Sequence, residues 1–205
     1  MSSDSLDHVK SIYTILDALS VELAELTKLL SPDKRLNVPW LSQLGETAAF
    51  APGDCGPACV AMVLSFLGKK VTVDEVSKAT GMPSGFKLSS NQTLWKTAIK
   101  WDVTLYWARN LARQALVDEV DAGRPVICLV HYPSLVKKYD PKYPQCHFVV
   151  ITGHTDSSVS YHDPYWRDSS GGAHIEIDNE AFDKAWSNVN QLGNSPRQCL
   201  RIKPK

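Results

Sequence analysis

The chain has 205 residues, enough for one domain with an added arm and a sizeable core. Its 22 Lys and Arg balance its 22 Asp and Glu, and no basic stretch with interleaved aromatics stands out. Nothing therefore favours nucleic acid or an anionic membrane surface as a partner.

At the N-terminus Val9, Ile12, Leu16, Leu19, Leu23, Leu26 and Leu30 repeat with alternating gaps of three and four. This is a heptad seam of about three heptads, widened by Ile15 and Leu29. Ser31-Pro32 predicts its end. The pattern predicts an N-terminal amphipathic helix within residues 1–31 and a separate domain over 32–205. So short a helix needs a partner. Either it forms a homo-oligomer through residues 9–30, as a short coiled coil, or it lies on its own domain. Asp4, Asp7, His8, Lys10, Asp17, Glu22 and Glu25 interrupt any signal-peptide core, and no apolar run reaches the length of a membrane span. The five cysteines, Cys55, Cys59, Cys128, Cys146 and Cys199, are odd in number and several lie in apolar runs. That suits reduced thiols better than a disulfide framework, and the expected location is cytoplasmic.

The segment Gly53-Asp54-Cys55-Gly56-Pro57-Ala58 reads as a loop that delivers a cysteine to the start of a buried helix. Pro57 suits a first helical turn, Ala58 to Leu67 run almost without a polar residue, and Gly68 stops the helix. Helix N-termini carry partial positive charge, which favours a thiolate over a thiol. A small buried core residue is the competing reading of Cys55. Further helices are expected over Val73–Thr80, Asn91–Lys100, Ala112–Ala122 and Ala181–Trp186, and strands over Val103–Trp107, Val126–His131, Ile175–Ile177 and Gln198–Ile202. Met82–Ser90 and Tyr132–Gln145 read as loops. Helices come early and strands cluster late, which predicts an α+β domain with the cysteine helix packed on an antiparallel sheet.

Cys146-His147-Phe148-Val149-Val150-Ile151 reads as a strand that opens with a histidine. A turn over His154–Ser158 and a returning strand, Val159–His162, lead to Asp163-Pro164. The hairpin brings His147 and Asp163 near one another, on a shared face if the register allows. A cysteine at a helix start, a distant histidine and a carboxylate to orient it is the logic of an activated thiol nucleophile. Asp163 is also an ordinary turn-former before proline.

The run Asn37-Val38-Pro39-Trp40-Leu41-Ser42-Gln43, then Asp54-Cys55-Gly56-Pro57-Ala58, then His147-Phe148-Val149-Val150, then Asp163-Pro164 resembles the bacteriocin-processing, double-glycine-leader cysteine peptidases and their stand-alone relatives. These are small members of the papain-like group. The resemblance covers roughly residues 36–203 and rests on the order of the motifs, each weak alone. It implies a papain-like fold and a peptide or small-protein substrate. It further implies Cys55 as nucleophile, His147 as general base, Asp163 as its orienting group, Gln43 as an oxyanion-hole residue, and no cofactor. The loop Leu44–Asp54 between Gln43 and Cys55 is longer than the family usually has, an insertion that closure entropy tolerates.

His131 is the main rival base, with His162, His154, His174 and His8 behind it. Cys59 follows Cys55 by one helical turn in an apolar helix, an arrangement that suits core packing better than zinc, so no metal site is expected. Tyr165 and Trp166 either wall the cleft or pack on the sheet edge. Three functions fit the residues: a cysteine peptidase working through a thioester, a thiol acyltransferase or amidase on the same scaffold, and a non-catalytic binding module.

Overall fold

A computed structural model describes residues 3–30, 34–44, 53–81, 94 and 96–204, with side chains in the first helix described over 8–23. The chain divides into two compact units, Met1–Asp33 and Lys34–Lys205.

The first unit is one helix, α1, Ser3–Leu30. Its seam residues Val9, Ile12, Leu16, Leu19 and Leu23 are exposed. Leu26, Leu29 and Leu30 lie outside the described side chains. No described helix is long and apolar enough to cross a membrane.

The second unit is built on a sheet that has seven strands among the described residues: β1 Lys34–Arg35, β2 Leu105–Ala108, β3 Val126–His131, β4 Cys146–His154, β5 Ser158–His162, β6 Ile175–Asp178 and β7 Cys199–Ile202. The order is β2-β7-β3-β4-β5-β6, with β1 added to β4. Every pairing is antiparallel. β3 and β4 are buried along nearly their whole length, which explains their almost unbroken apolar runs. Helix α2, Cys55–Phe66, packs on β4 and on α3, Val73–Ala79. Helix α4, Gln114–Asp121, packs on β4 and β3, and α6, Asn179–Ser187, packs on β3.

Helix α2 is apolar all round because every residue from Cys55 to Leu64 is buried. It ends where Gly68 adopts a positive φ of 77°, a conformation a side chain would disfavour. A full capping box starts α3: Thr72 accepts from Glu75 N while the Glu75 carboxylate accepts from Thr72 N.

Several boundaries differ from the sequence reading. The helix expected over Ala112–Ala122 is shorter, and the strand expected from Val103 begins at Leu105. The loop Met82–Ser90 and the start of the helix expected over Asn91–Lys100 lie outside the described residues, while Ala98–Trp101 forms a 3-10 turn. Two elements had no sequence signal. β1 is two residues long, and α5, Ser169–Gly172, is a single turn capped by the Asp168 carboxylate. Neither is long enough to show a period.

β1 begins at Lys34 and pairs with His154 and Gly153, so every described strand lies in the second unit. A chain starting at Asp33 is expected to keep the thermal unfolding midpoint of the full chain within about 3 °C. Its sedimentation is expected to be monomeric, with any self-association of the full chain lost. An insoluble or unfolded truncation would show instead that the α1 stripe completes the domain's own core.

Candidate active site

Cys55 is the first residue of α2 and is fully buried. Asp54 precedes it as N-cap, and its backbone oxygen accepts from Ala58 N at 2.9 Å, so the helix is hydrogen-bonded from its first turn. The Asp54 carboxylate does not cap the helix; it accepts from Ser77 Oγ of α3. Gly56 lies against Leu94, where an added Cβ would meet the tip of the leucine side chain at 2.7 Å and oblige it to shift.

His147 and Asp163 come together through the hairpin register. Val150 pairs with His162 and Ile151 with Tyr161, and a bulge then accommodates Thr152. Continuing the register one residue puts Asp163 opposite Val149, on the face that His147 also occupies. His147 Nε2 meets Asp163 Oδ1 at 2.7 Å, with both side chains essentially inaccessible to solvent. Cys55 is an electrostatic neighbour of the same ring. Burial alone would lower the imidazole pKa. The charges of Asp163 and Cys55 and its hydrogen bonds to both outweigh that and push it up to about 10. The second carboxylate oxygen of Asp163 accepts from Trp166 Nε1 at 3.2 Å, and Oδ1 also accepts from Tyr165 N at 2.8 Å.

Gln43 is also buried, and its backbone N–H donates to Pro164 O at 2.8 Å. The long loop between Gln43 and Cys55 therefore does not carry the glutamine away; its main chain is fixed one residue beyond Asp163. Residues 45–52 of that loop lie outside the described residues.

The rival histidines are engaged elsewhere. His131 Nδ1 contacts Ser134 Oγ at 2.7 Å, and burial lowers its pKa. His162 donates through Nε2 to Val38 O and accepts at Nδ1 from His174 N, which fixes a neutral tautomer; burial pushes its pKa down to about 4. His154 pairs with Asp121 at 3.0 Å. His8 belongs to the other unit. Cys59, Cys128, Cys146 and Cys199 are buried, and burial raises the thiol pKa of Cys59, Cys128 and Cys146. Among the described residues no group of three His, Cys, Asp or Glu is placed to hold a metal ion.

An aromatic wall encloses the imidazole. Tyr132 stands edge-on to it with centroids 5.0 Å apart, Tyr165 lies at 5.9 Å and Tyr143 at 6.4 Å. Tyr132 Oη accepts from Tyr139 N at 2.9 Å and so folds the 132–145 loop over its own ring. Burial raises the phenol pKa of both Tyr132 and Tyr143, keeping the wall neutral. Such a wall removes water from the Cys55–His147–Asp163 set, where charge–charge attraction is then stronger than in solvent. Sequence reasoning singled out Tyr165 and Trp166 as wall candidates and missed Tyr132 and Tyr143. The concentration of tyrosine between residues 132 and 143, just before His147, was the available signal. A cavity lined by Leu67, Lys69, Asp102, Arg124 and Lys203 opens near the other end of α2, away from this set.

With this geometry in place, the chain can be set beside known proteins. Residues 35–194 match the model of the Peptidase_C39 like family. A C39-like peptidase from Bacillus anthracis superposes with a TM-score of 0.62 at 18% identity, covering 85% of this chain and 98% of its own. A double glycine motif protease from an AMS/PCAT transporter, solved with a leader peptide, gives 0.57 at 20% identity over 85% and 99%. The peptidase domain of Streptococcus ComA, a bifunctional ABC transporter, gives 0.52 at 19% over 75% and 93%. No curated protein matches the chain. The three structures share the architecture of helices packed on an antiparallel sheet, the papain-like peptidase fold.

The imidazole pKa is raised above its ordinary value of about 6.5, so its contribution to stability is full below that value and is lost as pH climbs toward about 10. His147→Ala is expected to destabilise the fold by about 3 kcal/mol at pH 6, because it leaves the Asp163 charge buried without its partner. Urea unfolding should show the gap to wild type narrowing between pH 7 and 10. A gap that stays constant over that range would contradict the ion-pair origin.

Proposed function

The chain belongs to the Peptidase_C39 like family, and on that premise we propose that it is a cysteine peptidase that opens an amide bond of a peptide or small protein. The observation that carries the reading is the buried 2.7 Å contact of His147 Nε2 with Asp163 Oδ1, on an imidazole whose charged form Cys55 also favours.

In the proposed reaction Cys55 and protonated His147 start as a thiolate–imidazolium pair, and the thiolate attacks the scissile carbonyl carbon. Asp163 holds the ring orientation and stabilises the imidazolium without accepting the proton. Charge develops on the carbonyl oxygen. Backbone N–H groups at the start of α2 and the Gln43 side chain are the proposed donors to it, supported by the fixing of the Gln43 main chain beside Pro164. Collapse of the tetrahedral intermediate breaks the C–N bond, and His147 gives its proton to the leaving amine. A thioester remains on Cys55. Water then attacks it while His147 takes the water proton, releasing the acid and restoring the Cys55 thiolate beside protonated His147.

Peptide cleavage read by mass spectrometry on a defined peptide mixture tests the assignment. His147→Ala should reduce turnover to background. Asp163→Ala should retain about a hundredfold more activity than His147→Ala, because the imidazole moves the proton and the carboxylate only orients it. His131→Ala should leave the rate unchanged. Loss of activity in His131→Ala with the fold intact, and retention in His147→Ala, would identify the wrong base. Products formed in oxygen-18 water should carry the label in the new carboxyl group; unlabelled adducts with added amines would indicate acyl transfer instead.

A further inference from the structure

Asp163 sits between two segments that are far apart in sequence. Trp40 Nε1 donates to Asp163 O at 2.9 Å, Gln43 N donates to Pro164 O at 2.8 Å, and Ser42 Oγ donates to Trp166 O at 2.5 Å. Trp166 turns its own indole N–H back on the Asp163 carboxylate at 3.2 Å. Gln43, the proposed oxyanion donor, and Asp163, which holds the imidazole, are thus mounted on one hydrogen-bonded unit, with Ser42 and Trp166 as its links.

The surroundings hold Trp166 in this pose. Gly171 lies so close to the indole that any side chain there would overlap the ring. Gly172 approaches Asp163 O and Trp40 Nε1, where an added Cβ would lie at 2.5 and 2.6 Å, and its own oxygen accepts from Asp163 N at 2.8 Å. The Lys137 ammonium stands over the Trp166 ring, 5.1 Å from its centroid. Asp168 ties down the glycine turn by accepting from Gly171 N.

The chemistry of the contact is specific. A carboxylate with one oxygen on His147 can still rotate about its Cβ–Cγ bond; a donor on the second oxygen restricts that rotation. Tyr165 N already shares Oδ1 with His147, and Trp166 Nε1 holds Oδ2. An imidazole follows the carboxylate that holds it, and a small misplacement of a proton-transfer group lowers its rate steeply.

We propose that Trp166 is a positioning residue of this site, its indole N–H fixing the Asp163 carboxylate, and that Ser42 couples it to the segment bearing Gln43. The proposal rests on the cysteine-peptidase reading above. Its effect passes through Asp163, so it belongs in the turnover number and not in substrate affinity.

Trp166→Phe keeps the ring and its packing on Gly171 and removes only the donor. Turnover of a cleaved peptide should fall about tenfold in kcat with KM unchanged, the worth of one hydrogen bond to a charged group. In an Asp163→Ala background the same substitution should have no further effect. Wild-type kcat in Trp166→Phe, or an equal loss in both backgrounds, would overturn the proposal and reduce Trp166 to a packing residue. Ser42→Ala should lower kcat while Ser42→Thr, which keeps the hydroxyl, restores it. This pair tests the link even if Trp166→Phe folds poorly; equal rates in Ala and Thr variants would count against it. The alkylation rate of Cys55 gives the same comparison without a substrate: Trp166→Phe should label more slowly than wild type below neutral pH. A wild-type Cys55 that is no more reactive than the core thiols would overturn the peptidase reading together with the positioning role, an outcome distinct from failure of Trp166 alone.

Discussion

A buried imidazole held against a buried carboxylate is the constraint on which the rest of this structure depends. Taking either group out of water alone is costly, and the cost is offset only when charge and hydrogen bonds are supplied inside. Here they are supplied from every side: His147 by Asp163 and Cys55, and Asp163 by His147, Tyr165 N and Trp166 Nε1. The long central strand β4 carries His147, the hairpin returns Asp163 to the same face, and the apolar helix α2 brings Cys55 down onto that strand. Each element is apolar for packing reasons, and each delivers one polar group at its end.

Much of this was legible in the sequence because it rests on periodicity and punctuation. The unbroken apolar stretch after Cys55 reads as a buried helix, and Gly68, Gly81 and Gly123 read as helix stops; all three adopt positive φ. The hairpin from Cys146 to His162 follows from two apolar runs around a polar turn. What the pattern left open was register, since a slip of one residue would have turned Asp163 away from His147. The bulge at Thr152 shows why register is hard to count: the pairing shifts between Ile151 and Gly153, close to the residues that matter. The same uncertainty left His131 and His162 as rivals, and only their partners, Ser134, Val38 and His174, set them apart.

The parts that sequence did not disclose are contacts between irregular segments. Ser42, Trp40 and Trp166 bond to main-chain or side-chain atoms more than a hundred residues away, except for the indole of Trp166, which reaches three residues back. No period or spacing encodes such bonds. The tyrosine wall is intermediate. Tyr132 ends up buried because its hydroxyl accepts from a loop amide, and that loop is closed by its own turns and not by a repeating pattern. The N-terminal arm shows the opposite relation. Its heptad seam is plain in the sequence, and α1 is a long helix, while no period in the sequence names the surface that the stripe meets.

The central claim is that Cys55 is the activated thiol of this site, set apart from four core cysteines by its place at the start of α2 and its contact with a protonatable imidazole. The direct measurement is the rate of iodoacetamide alkylation at each cysteine of the folded protein, followed by peptide mass spectrometry from pH 5 to 9. Alkylation should be fastest at Cys55 and should persist there below neutral pH, with Cys128 and Cys199 protected until the protein unfolds. Equal rates at Cys55 and Cys128 in the folded protein would contradict the account.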